Sequence, residues 1–165
     1  MELTVAGDGL AWWNGRRFRC ALGRAGITKK KREGDGASPA GSFLMRRVLY
    51  RPDRIAAPST RLPLAAIAPQ DGWCDDPANA KYNLPVRLPY PARAEKLWRE
   101  DRLYDLVVPL GYNDDPVRPG LGSAIFLHLA SENYGPTEGC IALNGADLLS
   151  VLQEADETSR VVIGG

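Results

Sequence analysis

Apolar residues in this chain come in short runs, and nearly every run is closed by glycine or proline. The chain holds 17 glycines and 13 prolines in 165 residues, a density at which turns recur too often for long helices. Residues 3–5, 10–13, 17–21, 41–50, 106–108, 124–128, 141–143 and 161–163 read as short strands between such turns. Their spacing predicts a mainly β fold of the sandwich or barrel type. Residues 1–165 are expected to form a single domain, since a chain of this length, 44% hydrophobic and 25% charged, can bury one core without disulfides or metal.

Two short helices are expected beside the strands. One spans residues 91–101, with Pro91 at its start and Leu97 and Trp98 facing the core. The other spans residues 146–154 behind Asn144, where Asp147 three residues on resembles a capping box with aspartate in place of glutamate. Residues 53–91 are rich in proline and poor in period, and are expected to form an ordered loop carrying substrate contacts.

The chemistry concentrates in residues 125–143, where the only histidine, His128, precedes a glycine-flanked cysteine, Cys140. A thiol attacks a carbonyl as its thiolate, and a neighbouring imidazole is the usual proton acceptor near neutral pH. The apolar run before His128 is β-favouring, residues 134–139 carry the glycine and proline of a turn, and an apolar run resumes at Ile141. Base and thiol are therefore expected at the ends of neighbouring strands joined by a loop of about ten residues. Gly139 would let main-chain N–H groups approach a reacting carbonyl closely, as an oxyanion hole requires. Cysteine is also a common packing residue, the reading given to Cys20 and Cys74. Residues 36–41 have the glycine spacing of a phosphate loop but no following lysine, and one histidine with scattered cysteines argues against a zinc site.

Thr137-Glu138-Gly139-Cys140 resembles, at three of four positions, the Ser/Thr-His-Gly-Cys signature of the YkuD-type L,D-transpeptidase catalytic domain. Upstream, the segment from Lys31 to Phe43, with Gly34-Asp35-Gly36-Ala37-Ser38-Pro39-Ala40-Gly41-Ser42-Phe43, is similar to that family's Lys…Gly-Asp-Gly-x-Thr-Pro-x-Gly-x-Phe stretch. Tyr82-Asn83, Gly111-Tyr112-Asn113 and Gly122-Ser123-Ala124 also look like pieces of its short members. The resemblance covers most of residues 25–150. It implies Cys140 as nucleophile, His128 as general base and Gly139 as a main-chain oxyanion donor, with Tyr112, Ser123, Thr137 and Glu138 as substrate-binding candidates and no metal or organic cofactor. Two departures stand out. Glu138 replaces the histidine of the motif, and Ala142 stands where an arginine often follows the cysteine. A carboxylate at 138 would raise the pKa of a nearby thiol, or orient an amine or peptide N–H of the substrate, or simply be solvated. With no acid following His128, a main-chain carbonyl is expected to orient the imidazole.

Charge and compartment narrow the partners. A formal net charge of +1 and a pI near 7.7 create no field that would draw nucleic acid or an acidic membrane. The basic run at residues 29–32 is interrupted by Glu33 and Asp35 and reads as a solvated loop. The first residues show no secretory signal, and three cysteines without C-x-x-C spacing suit reduced thiols, so a cytoplasmic monomer is expected. The expected activity is a cysteine-dependent L,D-peptidase acting on peptidoglycan stem peptides or muropeptides, favoured as an L,D-carboxypeptidase that releases terminal D-alanine in murein recycling. The alternatives are an L,D-transpeptidase, in which an amine resolves the acyl-enzyme, and an inactive muropeptide-binding module, which the two departures would permit.

Overall fold

A computed structural model describes residues 1–164. Three strands open the chain as a meander, β1 (Glu2–Val5), β2 (Leu10–Trp13) and β3 (Arg16–Arg19). A short parallel pair, β4 (Ile27–Thr28) with β5 (Ser38–Pro39), leads into β6 (Gly41–Leu44), β7 (Val48–Tyr50) and β8 (Leu64–Ala66). Next come β9 (Asp71–Cys74), β10 (Pro85–Arg87) and β11 (Ala94–Lys96), then β12 (Leu106–Pro109), β13 (Phe126–Leu129) and β14 (Ile141–Leu143). Helix α1 (Gly145–Glu154) and β15 (Arg160–Ile163) complete it.

These strands assemble into two open five-stranded sheets, ordered β3-β2-β1-β15-β6 and β14-β13-β12-β7-β8, and a three-stranded sheet ordered β10-β9-β11. Side chains alternate across a strand, and β12–β14 use both of their faces. Leu106, Val108, Leu127, Ile141 and Leu143 point into one core with Leu3, Val5 and Val161 of the first sheet and Leu148 and Leu152 of α1. Val107, Phe126 and Cys140 point the other way, into a second cluster with Trp73, Leu97 and Tyr104. The fold is thus mainly β, a sheet-on-sheet packing with one helix and a small third sheet laid over the outer face of β12–β14.

Asn144 caps α1 as the sequence predicts, its side-chain oxygen accepting from Asp147 N–H at 2.9 Å while its amide donates to the Asp147 carboxylate at 2.7 Å. The other expected helix does not form. Residues 91–101 instead contribute β11, which pairs antiparallel with β9 through the register Ala94↔Cys74, Glu95↔Trp73 and Lys96↔Gly72. Asp75 N–H donates to Arg93 O and Leu97 N–H to Asp71 O, so the segment's backbone groups are satisfied across strands. Trp98 lies under the Arg51 guanidinium at 3.6 Å. Tertiary pairing here overrides a weak helix propensity. For the same reason residues 53–91 are not one loop but supply β8, β9 and β10. The single strand expected over residues 41–50 is two, β6 in the first sheet and β7 in the second, with Met45 N–H donating to Ser159 O at the crossing.

Candidate active site

Strands β13 and β14 are parallel neighbours, with His128 level with Ala142 and Leu127 level with Ile141. Cys140 immediately precedes β14 and therefore sits beside Phe126, two residues before His128 and on the same face of the sheet. Its sulfur accepts from Phe126 N–H at 3.3 Å and donates to Ala124 O at 3.2 Å. His128 is almost wholly buried, 4% exposed, with Nδ1 at 2.8 Å from the Leu129 carbonyl. A carbonyl only accepts, so Nδ1 is assigned the proton and Nε2 is left with its lone pair free. The Tyr104 ring meets the imidazole edge-on at 5.2 Å.

Burial sets the ionisation of both groups. It pulls His128 down from 6.5 to about 4 and pushes the Cys140 thiol up from 9.0 to about 12, with the Glu95 carboxyl adding to the rise. The unliganded pair is therefore a neutral thiol and a neutral imidazole at one cavity wall. Glu138, for which effects on the thiol, a substrate contact and a solvated loop position were all open, is an exposed member of an ion pair with Arg24 at 3.1 Å.

The turn before the cysteine is tied by Thr137, whose hydroxyl donates to Cys140 O at 2.6 Å and accepts from Gly139 N–H at 3.1 Å. Gly139 has φ 140°, and a Cβ there would lie 2.8 Å from Ala37 O, so no larger residue fits without moving that backbone. Its N–H, expected to face an oxyanion, is engaged by the Thr137 hydroxyl.

Cys140 and His128 line a cavity of about 500 Å³. Thr137, Glu138 and Ser123 line it too, the Ser123 hydroxyl donating to Glu33 Oε1 at 2.5 Å. Tyr112, expected at the substrate, is not part of this wall. Its hydroxyl donates to the Leu121 carbonyl and its ring packs edge-on against Phe43 at 5.4 Å, so it shapes the loop before Ser123 instead. Three of the short pieces picked out by sequence do converge. Asn83 donates to Tyr112 O and Asn113 O at 3.1 and 2.8 Å and accepts from Ala124 N–H at 3.0 Å, while the Tyr82 hydroxyl donates to Glu33 and accepts from Gly122 N–H.

The opposite wall was not foreseen. It carries Arg93, just before β11, Glu95 of β11, and Arg99 and Tyr104 from the segment after it. Arg93 pairs with Asp75 and Arg99 with Asp101, and the Tyr104 hydroxyl donates to Glu95. Lys31 is buried and paired with Asp35 at 2.5 Å. Lys31 and Asp35 stand inside a segment the sequence had flagged, whereas Glu95 and Tyr104 sit in stretches with no motif at all.

A family model described as the L,D-transpeptidase catalytic domain, YkuD, matches residues 3–163. No curated protein matches the chain. Among solved structures, the helical cell shape determining protein Pgp2 from Campylobacter jejuni is similar at 15% identity and a TM-score of 0.48, over 98% of this chain and 46% of that one. The chain thus spans less than half the length of that protein.

Proposed function

The chain belongs to the YkuD family of L,D-transpeptidase catalytic domains, and from that premise we propose that it is a cysteine-dependent L,D-peptidase acting on peptidoglycan stem peptides with water as the acceptor. The observation that carries this reading is the placement of the Cys140 thiol and the His128 imidazole on one face of adjacent parallel strands, at the wall of a single cavity.

In the proposed cycle His128 Nε2 takes the Cys140 proton as the sulfur attacks the carbonyl on the L side of an L,D peptide bond. Because thiol and imidazole are both neutral beforehand, nucleophile formation is coupled to substrate entry, which excludes water and supplies the carbonyl that takes up the charge. The oxyanion falls to main-chain N–H groups around Gly139 and Cys140, the former available once the Thr137 hydroxyl releases it. The imidazolium then gives its proton to the departing D-amino acid. Ser123 and Glu138, both at the cavity wall, meet the peptide in this reading, and Thr137 acts by holding the turn. A cavity of about 500 Å³, the scale of one drug-sized ligand, has room for the reacting end of one stem peptide.

Mass spectrometry of a tetrapeptide muropeptide incubated with the protein tests this, first alone and then with an excess of a D-amino acid. Loss of one alanine in both conditions supports the carboxypeptidase. Efficient exchange or dimer formation makes it a transpeptidase, and no change in several authentic stem peptides makes it a binding module.

A further inference from the structure

The carboxyls at the cavity wall are not equivalent. Asp75 is neutralised by Arg93 and Glu138 by Arg24, each at 3.1 Å. Glu33 receives two hydroxyl donors on one oxygen, Tyr82 at 2.7 Å and Ser123 at 2.5 Å. Glu95 has a single hydrogen-bond partner, the Tyr104 hydroxyl, on Oε1; among the described residues nothing bonds its other oxygen, and the residue lines the cavity. Arg99 is the cation whose charge reaches it, yet that guanidinium is held by both oxygens of Asp101, at 2.9 and 2.6 Å, and lies over the Tyr104 ring at 4.9 Å.

Glu95 also lines the same cavity as the sulfur. After burial itself, its charge is the largest influence raising the Cys140 thiol. Burial lifts the Glu95 carboxyl above its ordinary value, and Asp75 and Glu33 push the same way. A cavity-wall carboxyl raised above its ordinary value, with one oxygen fixed and the other without a protein partner, is the arrangement of a group that takes and returns a proton.

We infer that Glu95 is the general base of the hydrolytic half-reaction, holding the attacking water on its free oxygen and taking that water's proton as the Cys140 thioester opens. The inference rests on the peptidase reading above. The water oxygen bonds to the acyl carbon, the carbon–sulfur bond breaks, and the proton held by Glu95 passes to the Cys140 sulfur, regenerating thiol and carboxylate. Tyr104 is a positioning residue in this scheme.

Glu95→Gln keeps the acceptor for Tyr104 and removes the base. With a tetrapeptide muropeptide ending in D-alanine, this variant is expected to release D-alanine in a burst equal to the enzyme and then slow by about a hundredfold or more, with the acyl-enzyme on Cys140 accumulating in the intact-protein mass. Hydroxylamine, an acceptor that needs no such base, is expected to restore turnover. Glu95→Asp, which draws the carboxylate back without losing it, should keep the burst and slow deacylation, and it decides the matter should the glutamine variant not fold. Wild-type deacylation in either variant, or a raised KM with kcat and the acyl-enzyme level unchanged, overturns the role. D-alanine release by the wild type together with either of those results sinks this proposal alone. No release by the wild type sinks the peptidase reading and this proposal with it.

Discussion

The two walls of the cavity are built on different principles. One is the β13–β14 pair, buried on both faces, where His128 and Cys140 hang from strands whose far sides are locked into the main core by Leu127, Ile141 and Leu143. The other is β11 with the residues flanking it, paired to β9 and bearing ions and hydroxyls held by one another: Arg93 with Asp75, Arg99 with Asp101, Tyr104 with Glu95. The first wall fixes reactive atoms by backbone register, which close packing makes hard to deform. The second presents charge through long side chains whose neighbours are other side chains. Rigid placement and adjustable electrostatics are thereby assigned to separate parts of the chain.

If that division holds, damage to the first wall costs most. Cys140→Ala is expected to abolish turnover and the acyl-enzyme mass shift, and His128→Ala to cut turnover by about 10² to 10⁴ with far-UV circular dichroism unchanged. Tyr104→Phe, on the second wall, is expected to cost less than about tenfold. A loss from Tyr104→Phe as deep as that from His128→Ala would break the comparison.

A second contrast is in pH. His128 is held neutral by burial, at about 4 against an ordinary 6.5, so folding is opposed wherever the unfolded chain is protonated and the folded one is not. Its contribution is intact above pH 6.5 and is lost as pH falls toward 4, a difference of about 3 kcal/mol in all. Denaturant titrations of wild type and His128→Gln should diverge across that window, and parallel curves would show the imidazole to be solvated. For the same reason kcat/KM should stay level from about pH 8 down to about pH 5. An acid limb near 6.5 would mean that the ring is not buried in solution.

Much of the first wall was legible in the sequence and little of the second. His128, the loop and Cys140 lie within one short stretch, so local pattern alone places them on adjoining strands. The cap at Asn144 is equally local. Residues 91–101 have a proline start and two large apolar residues, as a helix would, and nothing local reveals that β9 offers them a partner. Glu95 acquires its environment from Trp73, Tyr104 and Cys140, each distant in sequence or hidden by that misreading. Tyr112 shows the converse, a motif residue whose hydroxyl serves the backbone instead of the cavity. Sequence reading found Asn83 only as part of a dipeptide, although it accepts from both Trp73 Nε1 and Ala124 N–H and so joins the two walls.

That joint provides a smaller test. Asn83→Ala removes four hydrogen bonds from a buried, positive-φ position and is expected to lower stability by about 1 to 3 kcal/mol, read as a shift in the urea midpoint. An unchanged midpoint would mean the walls are held together elsewhere. The smallest effect is expected at the rim, where Glu138→Gln breaks an exposed ion pair with Arg24 and should change stability by less than about 1 kcal/mol. A larger change would show that the rim belongs to the rigid wall.

The buried sulfur has a consequence for endurance. Peroxides attack thiolate and not thiol, and with Cys140 pushed up to about 12 on the order of one molecule in 10⁵ carries the anion at pH 7. The Ala124 carbonyl accepts the thiol proton and burial holds the sulfur in that protonated form, against the opposing pull of the Phe126 N–H that donates to it. Between substrates the centre is accordingly shielded from conversion to sulfenic acid, and its exposure to oxidative loss is confined to the brief interval in which a bound peptide has already claimed the anion.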